Sequence, residues 1–207
     1  MRFLYIALAA ALLWSPGRPS VSAADDPCAA LPAAAQCPDD GDPCTVDACA
    51  DGVCGHTDVA DRTNCEPLAP VYNQAVGLGA LVAELDAAVA TATLPETARI
   101  LMTNALQATA ASLTRTSEAL SGRIAIPEPA AGETLTQARS RAAFGIARAT
   151  PTRVRSVMRL LAVPSVRAAS GPSIDDLARR ARFLYRNTNL LKRDLRSLQR
   201  VSGVFAR

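Results

Sequence analysis

Arginine side chains recur at a helical spacing close to the end of the chain. Four of them are seven residues apart, and two more lie beside these on the same side of a helix. The six residues, which we call the arginine ridge, are Arg179, Arg182, Arg186, Arg193, Arg196 and Arg200. Their guanidinium groups would attract phosphate, sulfate or uronate groups, so the ridge is a candidate polyanion-binding surface. The alternative is a solvated helix face in a chain whose 22 basic residues include a single lysine, Lys192.

Carboxylates are concentrated in a different part of the chain, near the only histidine, His56. Their oxygens suit calcium, although no glutamate closes a twelve-residue EF-hand loop. Aspartates in a loop also form turns, because their carboxylates accept hydrogen bonds from nearby backbone amides, and we favour that role here. The weak calcium candidates are Asp39, Asp40, Asp42 and Asp47.

The sequence lacks the compact motifs of familiar enzymes. It contains no Gly-x-Ser-x-Gly, phosphate loop, dinucleotide fingerprint or His-Glu-x-x-His. A nucleophile paired with His56 would need a pocket, and the surrounding segment has few apolar residues to form one. We therefore predict no catalytic residue, no cofactor and no enzyme. A hydrolase with unrecognised residues stays as an alternative, because a glycosidase carboxylate pair has no local signature.

All six cysteines lie within 38 residues of one another, and none lies in the last 142 residues. They are Cys28, Cys37, Cys44, Cys49, Cys54 and Cys65. An even number of clustered cysteines that follow an export signal predicts three disulfides, and six cysteines can pair in 15 ways. Each would stabilise this small module by about 2–4 kcal/mol. Disulfide formation also argues against zinc on Cys49, Cys54 and His56. Turn residues predict loops and one short hairpin across Asp51 and Gly52.

Two short segments in this region are similar to a known repeat. The run Cys44-Thr45-Val46-Asp47-Ala48-Cys49, followed by Gly52-Val53-Cys54-Gly55-His56, resembles the CTDC repeat of slime-mould matrix proteins and of secreted bacterial proteins. Members of that family usually carry many copies, whereas this chain has one, at residues 37–65. The resemblance implies a secreted, disulfide-held module with no known catalytic activity.

The chain begins with a pattern typical of an export signal. A basic pair of residues precedes an uncharged apolar run at residues 3–14, and small residues precede a cleavage site after Ala23. The run is shorter than the roughly 20 residues of a membrane span, although an uncleaved anchor is an alternative. We predict a signal peptide at 1–23, a cysteine-rich acidic module at 24–66, and helices at 67–207. The expected location is secreted or periplasmic, including the outer envelope, with no transmembrane segment in the mature chain.

Charge is distributed unevenly along the chain. Residues 24–66 hold ten acids and one base, a net −9, whereas residues 130–207 hold four acids and 16 bases, a net +12. The acidic module could therefore rest on the basic helices, although each exposed pair contributes only about 0–1 kcal/mol. Further bases at Arg153, Arg155, Arg159 and Arg167 could form a second basic surface. We expect no nucleic acid partner, because an exported protein leaves the compartment that holds most nucleic acids. In addition, no aromatic side chain alternates with the ridge for base stacking.

Apolar residues recur at helical spacings from residue 71 onward. Steps of 3 and 4 run from Val71 to Val89, and again from Ile174 to Leu198. A looser stripe follows a predicted capping box at Thr93 and Glu96. Its members are Leu94, Leu101, Leu106, Leu113, Leu120 and Ile124. Shorter helices are expected at about 133–149, where Leu135 joins the apolar stripe, and from Thr150 to near Pro164. The predicted fold class is mainly α, an antiparallel bundle of four to five helices preceded by a small disulfide-rich, loop-dominated module.

The sequence therefore favours an exported bacterial protein with a non-enzymatic binding or structural role at the envelope or extracellular matrix. The predicted ligand is an acidic polysaccharide or other polyanion. Heptad-like stripes also allow a homo-oligomer or a protein partner. Phe183 and Tyr185 flank the stripe of the last helix, and we expect both to pack at the edge of the core.

Overall fold

A computed structural model describes Cys28, Pro38 and residues 40–50, 52–58, 65–170 and 173–200. The predicted signal peptide at 1–23 lies outside these residues, as do Cys37 and Asp39. Six α-helices occur in the described part: α1 Ala69–Thr91, α2 Glu96–Ser121, α3 Leu135–Ala147, α4 Thr150–Leu161, α5 Pro164–Ser170 and α6 Ser173–Leu198. They confirm the predicted fold class of a mainly helical bundle behind a small disulfide-containing module.

Two of the shorter helices together occupy one position in the bundle. Only Arg148 and Ala149 separate α3 from α4, and both helices pack between α2 and α6. Arg153 of α4 donates to the Ala108 carbonyl of α2, and Gln137 of α3 donates to the Gln199 carbonyl after α6. Helix α1 closes the bundle by packing on α2 and α6. Helices α2 and α6 therefore lie diagonally opposite each other.

The two regular apolar stripes form the centre of the core, as predicted. Every member of the Val71–Val89 series is buried in α1, and every member from Ile174 to Leu195 is buried in α6. Steps of 3 and 4 keep side chains on one face of a 3.6-residue helix, so each stripe faces the bundle axis along its whole length. The seam expected of a coiled coil is thus buried inside one chain.

The predicted start and stripe of α2 are wrong in two respects. The helix begins at Glu96 after Pro95, with no side-chain cap from Thr93, and Glu96 pairs with Arg99 instead. Leu101 is 49% exposed, whereas Met102 beside it is fully buried. The step of five between Leu101 and Leu106 turns the helix by about 140° beyond a full turn, so both cannot face the core.

The start of α3 is set by a capping box that was not predicted from the sequence. Thr134 Oγ1 accepts from the Gln137 amide at 3.2 Å, and Gln137 Oε1 accepts from the Thr134 amide at 2.8 Å. The helix is therefore shorter than the predicted 133–149, and Leu135 is exposed. Helix α5 follows directly on the predicted end of α4 near Pro164 and was not predicted.

We expect acid to weaken the fold through Glu133. Arg141, and then the Ala130 amide, donate hydrogen bonds to this carboxylate and lower its pKa from 4.5 to about 2. Because the folded pKa is below the unfolded pKa, the stabilisation is present above pH 4.5 and is lost as the pH falls from 4.5 to about 2. The difference in urea midpoint between the wild type and Glu133→Gln should shrink as the pH falls through this range. The pH dependence should be weaker in an Arg141→Gln background, where the Ala130 amide still donates to the carboxylate. A pH-independent difference in the wild-type background would contradict the prediction.

Gly122 ends α2 in a conformation that a side chain would disturb. Its φ is +78°, and a Cβ there would collide with the guanidinium of Arg139. Gly132 has a similar φ of +79° and open space around it. We expect Gly132→Ala to lower the free energy of unfolding by about 1–2 kcal/mol. Gly122→Ala should lower it by at least about 1 kcal/mol more. Equal losses in chemical denaturation would show that the Arg139 contact adds nothing.

Candidate functional site

The cysteine module contains the predicted hairpin. Strand β1, Thr45–Ala50, pairs with β2, Val53–Asp58, in antiparallel register, with Gly52 at a φ of +79° in the turn. This register places Asp47 opposite His56 and Cys49 opposite Cys54. The polar residues that carry the CTDC resemblance therefore face each other across two strands.

Two disulfide pairings are visible. Cys28 is bonded to Cys49, and Cys44 is bonded to Cys65. Cys54 is also disulfide-bonded, and Cys37 lies outside the described residues. Since Cys49 and Cys54 are both oxidised, neither offers a thiolate to a metal ion.

His56 and Asp47 form the main polar contact of the hairpin. Their Nδ1 and Oδ1 atoms are 2.7 Å apart, and the side chain of Asp47 is only 4% exposed. Asp40 Oδ2 lies 3.7 Å from the same His56 nitrogen. The ligand atoms of Asp40, Asp47 and His56 all lie within 4.8 Å of one another, so two of the four calcium candidates meet at the histidine.

The remaining aspartate contacts form turns. Asp40 Oδ1 accepts from the Asp42 amide at 2.8 Å and from Thr45 Oγ1 at 2.9 Å. Asp42 Oδ1 accepts from the Cys44 amide at 2.9 Å. The two bonds from backbone amides are local and of the kind that the turn alternative predicted. Asp39 lies outside the described part of the chain.

A buried arginine connects the module to the bundle. Arg139 of α3 is 8% exposed, and its Nη1 donates to the Pro43 carbonyl at 3.0 Å and to the Leu120 carbonyl at 3.2 Å. Burial lowers the pKa of its guanidinium. Nearby, Arg123 Nη1 lies 3.7 Å from Asp47 Oδ2. The acidic module thus contacts the end of α2 and the side of α3.

Sequence reasoning missed Arg139, because it treated arginine as a surface residue. One signal was available: Arg139 lies directly beside Ala138 in the predicted apolar stripe of α3. The Cys44–Cys65 disulfide belongs to the same buried cluster as Leu68 and Val71 of the bundle. Module and helices therefore share apolar contacts as well as this hydrogen-bonded cation.

The arginine ridge lies on the outer face of α6, and all six of its members are exposed. Arg179 lies 3.6 Å from Asp176, Arg193 lies 3.3 Å from Asp194, and Arg196 stacks on the ring of Phe144. The other three, Arg182, Arg186 and Arg200, have no carboxylate within 4.0 Å among the described residues. Asp47 of the acidic module pairs with Arg123, which is not a member of the ridge.

The second basic surface is partly occupied by contacts within the chain. Arg153 donates to Ser112 Oγ at 2.7 Å, and Arg155 stacks on Tyr185 while donating to its hydroxyl. The Arg155 guanidinium lowers the pKa of Tyr185. Tyr185 packs against the core edge, as predicted. Phe183 does not: it is 55% exposed, because it points away from the buried side of α6.

Helix α1 and the turn before it, Glu66–Thr91, are long and apolar enough to cross a membrane by length and composition. The best 18-residue window has a mean hydropathy of 1.3, and 28% of it is buried in the bundle. Its buried residues are the predicted stripe that packs on α2 and α6. The same features are found in core helices of soluble proteins.

A comparison of the chain with protein-family models, curated proteins and solved structures found no match. The resemblance to a CTDC repeat therefore stays a prediction that rests on the cysteine spacing, Thr45, Asp47 and His56.

Arg139 should hold the module on the bundle. Arg139→Ala would leave two buried carbonyl groups without their donor, so we expect the free energy of unfolding to fall by about 2–4 kcal/mol. Arg148→Ala removes an exposed arginine just after the same helix and should leave the unfolding midpoint nearly unchanged. Hydrogen exchange at the amides of Cys44 and Thr45 should accelerate in the first variant alone. Equal behaviour of the two variants would contradict this role.

Proposed function

We propose that this chain is an exported, non-enzymatic bacterial protein of the envelope or extracellular matrix that binds a polyanion, such as an acidic polysaccharide, on its arginine ridge. The observation that carries the proposal is the exposure of six arginines on one helix face, four of them without a carboxylate partner among the described residues. The disulfides of the module agree with an oxidising compartment.

The geometry of α6 suits an extended ligand. The ridge runs over 21 residues from Arg179 to Arg200, which is about 32 Å at 1.5 Å per residue. Guanidinium groups bind carboxylate, sulfate and phosphate through paired N–H donors and stay charged at any physiological pH. A polymer with anionic groups along its length could contact several ridge members at once, so that weak single contacts add together.

The module would serve as an attachment head. Val46 and Val53, on the two strands of the hairpin, are both more than half exposed. Exposed β-branched residues on a disulfide-held hairpin favour contact with another protein. This arrangement would leave the ridge open while the module holds the protein in place.

A helical oligomer is the second candidate. The predicted heptad stripes of α1 and α6 are buried within the chain, so they are not available to a second copy. Ile100 and Leu101 of α2 are each 49% exposed and offer an apolar surface on the side of the bundle opposite α6. A partner or a second copy could cover that surface independently of the ridge.

Charge reversal on the ridge tests the leading proposal. The double variant Arg186→Glu with Arg193→Glu should bind heparin about tenfold or more weakly than the wild type, because it removes two cations and adds two repelling anions. Affinity should fall as salt rises, since exposed charges are screened over roughly 8–10 Å at physiological salt. Isothermal titration with size-defined heparin gives both quantities.

The matched control is Arg99→Glu with Arg115→Glu, which makes the same change in net charge on α2, opposite the ridge. Heparin affinity should change little in this control. Equal weakening by both pairs would mean that net charge alone drives binding, and it would overturn the ridge proposal.

Sedimentation of the same samples at several concentrations distinguishes the oligomer, whose mass would rise with concentration.

A further inference from the structure

Two large hydrophobic side chains lie within the arginine ridge. Phe183 is 55% exposed and Leu190 is 39% exposed. Along α6 the order Arg179, Phe183, Arg186, Leu190, Arg193 follows steps of 4 and 3, so all five lie along one side of the helix. The outer face of α6 therefore alternates cations with exposed apolar groups.

The fold does not require these two side chains on the surface. The buried side of α6 is already filled by the Ile174–Leu195 series, including Leu184 and Leu191, the neighbours of Phe183 and Leu190. Exposing an aromatic ring or a leucine side chain to water does not stabilise the folded protein. Their position among cations points to a partner that presents negative charge and an apolar layer together.

A cavity of about 260 Å³ opens beside Phe183, between α1 and α6. Its walls are formed by Leu81 and Glu84 of α1 and by Asp176, Arg179, Arg180 and Phe183 of α6. Arg180 and Arg179 pair with Asp176 at this end of the helix, at 2.7 and 3.6 Å. The carboxylates of Glu84 and Asp176 lie at this end, whereas α6 has no acidic residue from Leu177 to Arg193, so its positive field is strongest around Arg186 and Leu190.

We propose that this face of α6 docks on the surface of an anionic phospholipid bilayer. The arginines would bind headgroup phosphates, while Phe183 and Leu190 insert at the boundary between headgroups and acyl chains. Clusters of basic residues attract anionic headgroups, and exposed aromatic and aliphatic side chains beside them can enter the boundary with the acyl chains. The inference rests on the ridge being an anion-binding surface, and it specifies lipid headgroups as the anions.

A soluble polyanion would use only half of this surface. A hydrated polysaccharide can neutralise Arg186 and Arg193, but it leaves Phe183 and Leu190 in water. A bilayer satisfies both kinds of group, because its anionic headgroups lie directly above an apolar layer. The long arginine side chains can reach up to the headgroups while their aliphatic stems stay near the apolar boundary.

Vesicle binding of the purified protein tests the inference. We expect co-sedimentation with phosphatidylcholine vesicles that contain phosphatidylglycerol, and little with phosphatidylcholine alone. Phe183→Ser with Leu190→Ser should weaken vesicle binding about tenfold or more. The same variant should bind heparin as the wild type does, because its charges are unchanged. The matched control, Ile100→Ser with Leu101→Ser, replaces two equally exposed apolar residues of α2 and should bind vesicles normally.

The emission of a single tryptophan locates the contact. In a Trp14→Phe background, the emission of Phe183→Trp should shift to shorter wavelength with phosphatidylglycerol vesicles and stay unshifted with heparin. Vesicle binding unchanged by the two serine substitutions, or equal binding to uncharged vesicles, would overturn the membrane inference. If the ridge charge reversal abolishes heparin binding but spares vesicle binding, this inference fails and the proposed function stands. If it affects neither, both fail.

Discussion

The structure depends on one buried cation, Arg139, at the junction of three segments. Its guanidinium donates to the carbonyl before Cys44 and to the carbonyl of Leu120 at the end of α2. A charge held among carbonyl dipoles must keep these partners, because losing either would leave a buried polar group without a hydrogen bond. Gly122 is needed where α2 ends, since a Cβ would displace this guanidinium. The position of the module, the end of α2 and the start of α3 are therefore mutually dependent.

This junction also separates the two charged parts of the protein. Asp47 is oriented by His56 within the hairpin and lies 3.7 Å from Arg123, near the end of α2. Helix α6 lies diagonally opposite α2, and four of the six ridge arginines have no carboxylate partner in the described part of the chain. In the described part of the module, the acidic side chain that meets the bundle pairs with Arg123 and not with a member of the ridge.

Much of the fold could be predicted, and the errors share a cause. The α1 and α6 stripes were correct because steps of 3 and 4 identify a buried face without knowledge of its partner. In α2, alanine and threonine fill much of the interface, so the leucines suggested a stripe that includes exposed Leu101 and omits buried Met102. Thr93 matched a capping box by residue type alone, whereas Thr134 and Gln137 form one. Phe183 was assigned to the core edge because aromatic residues usually bury their rings, and it is exposed.

By itself the sequence determined the helical class, the hairpin at Gly52, the clustering of the cysteines and the heptad spacing of the ridge, because each depends on local periodicity or turn chemistry. It left all 15 cysteine pairings open, and it did not distinguish a cation that closes a junction from one that faces solvent. Tertiary structure decided that Cys28 pairs with Cys49, that Arg139 is buried, and that Phe183 lies among exposed arginines. These outcomes depend on which surfaces meet across the bundle. Periodicity indicates that a face is buried, but it does not identify the distant segment that covers it.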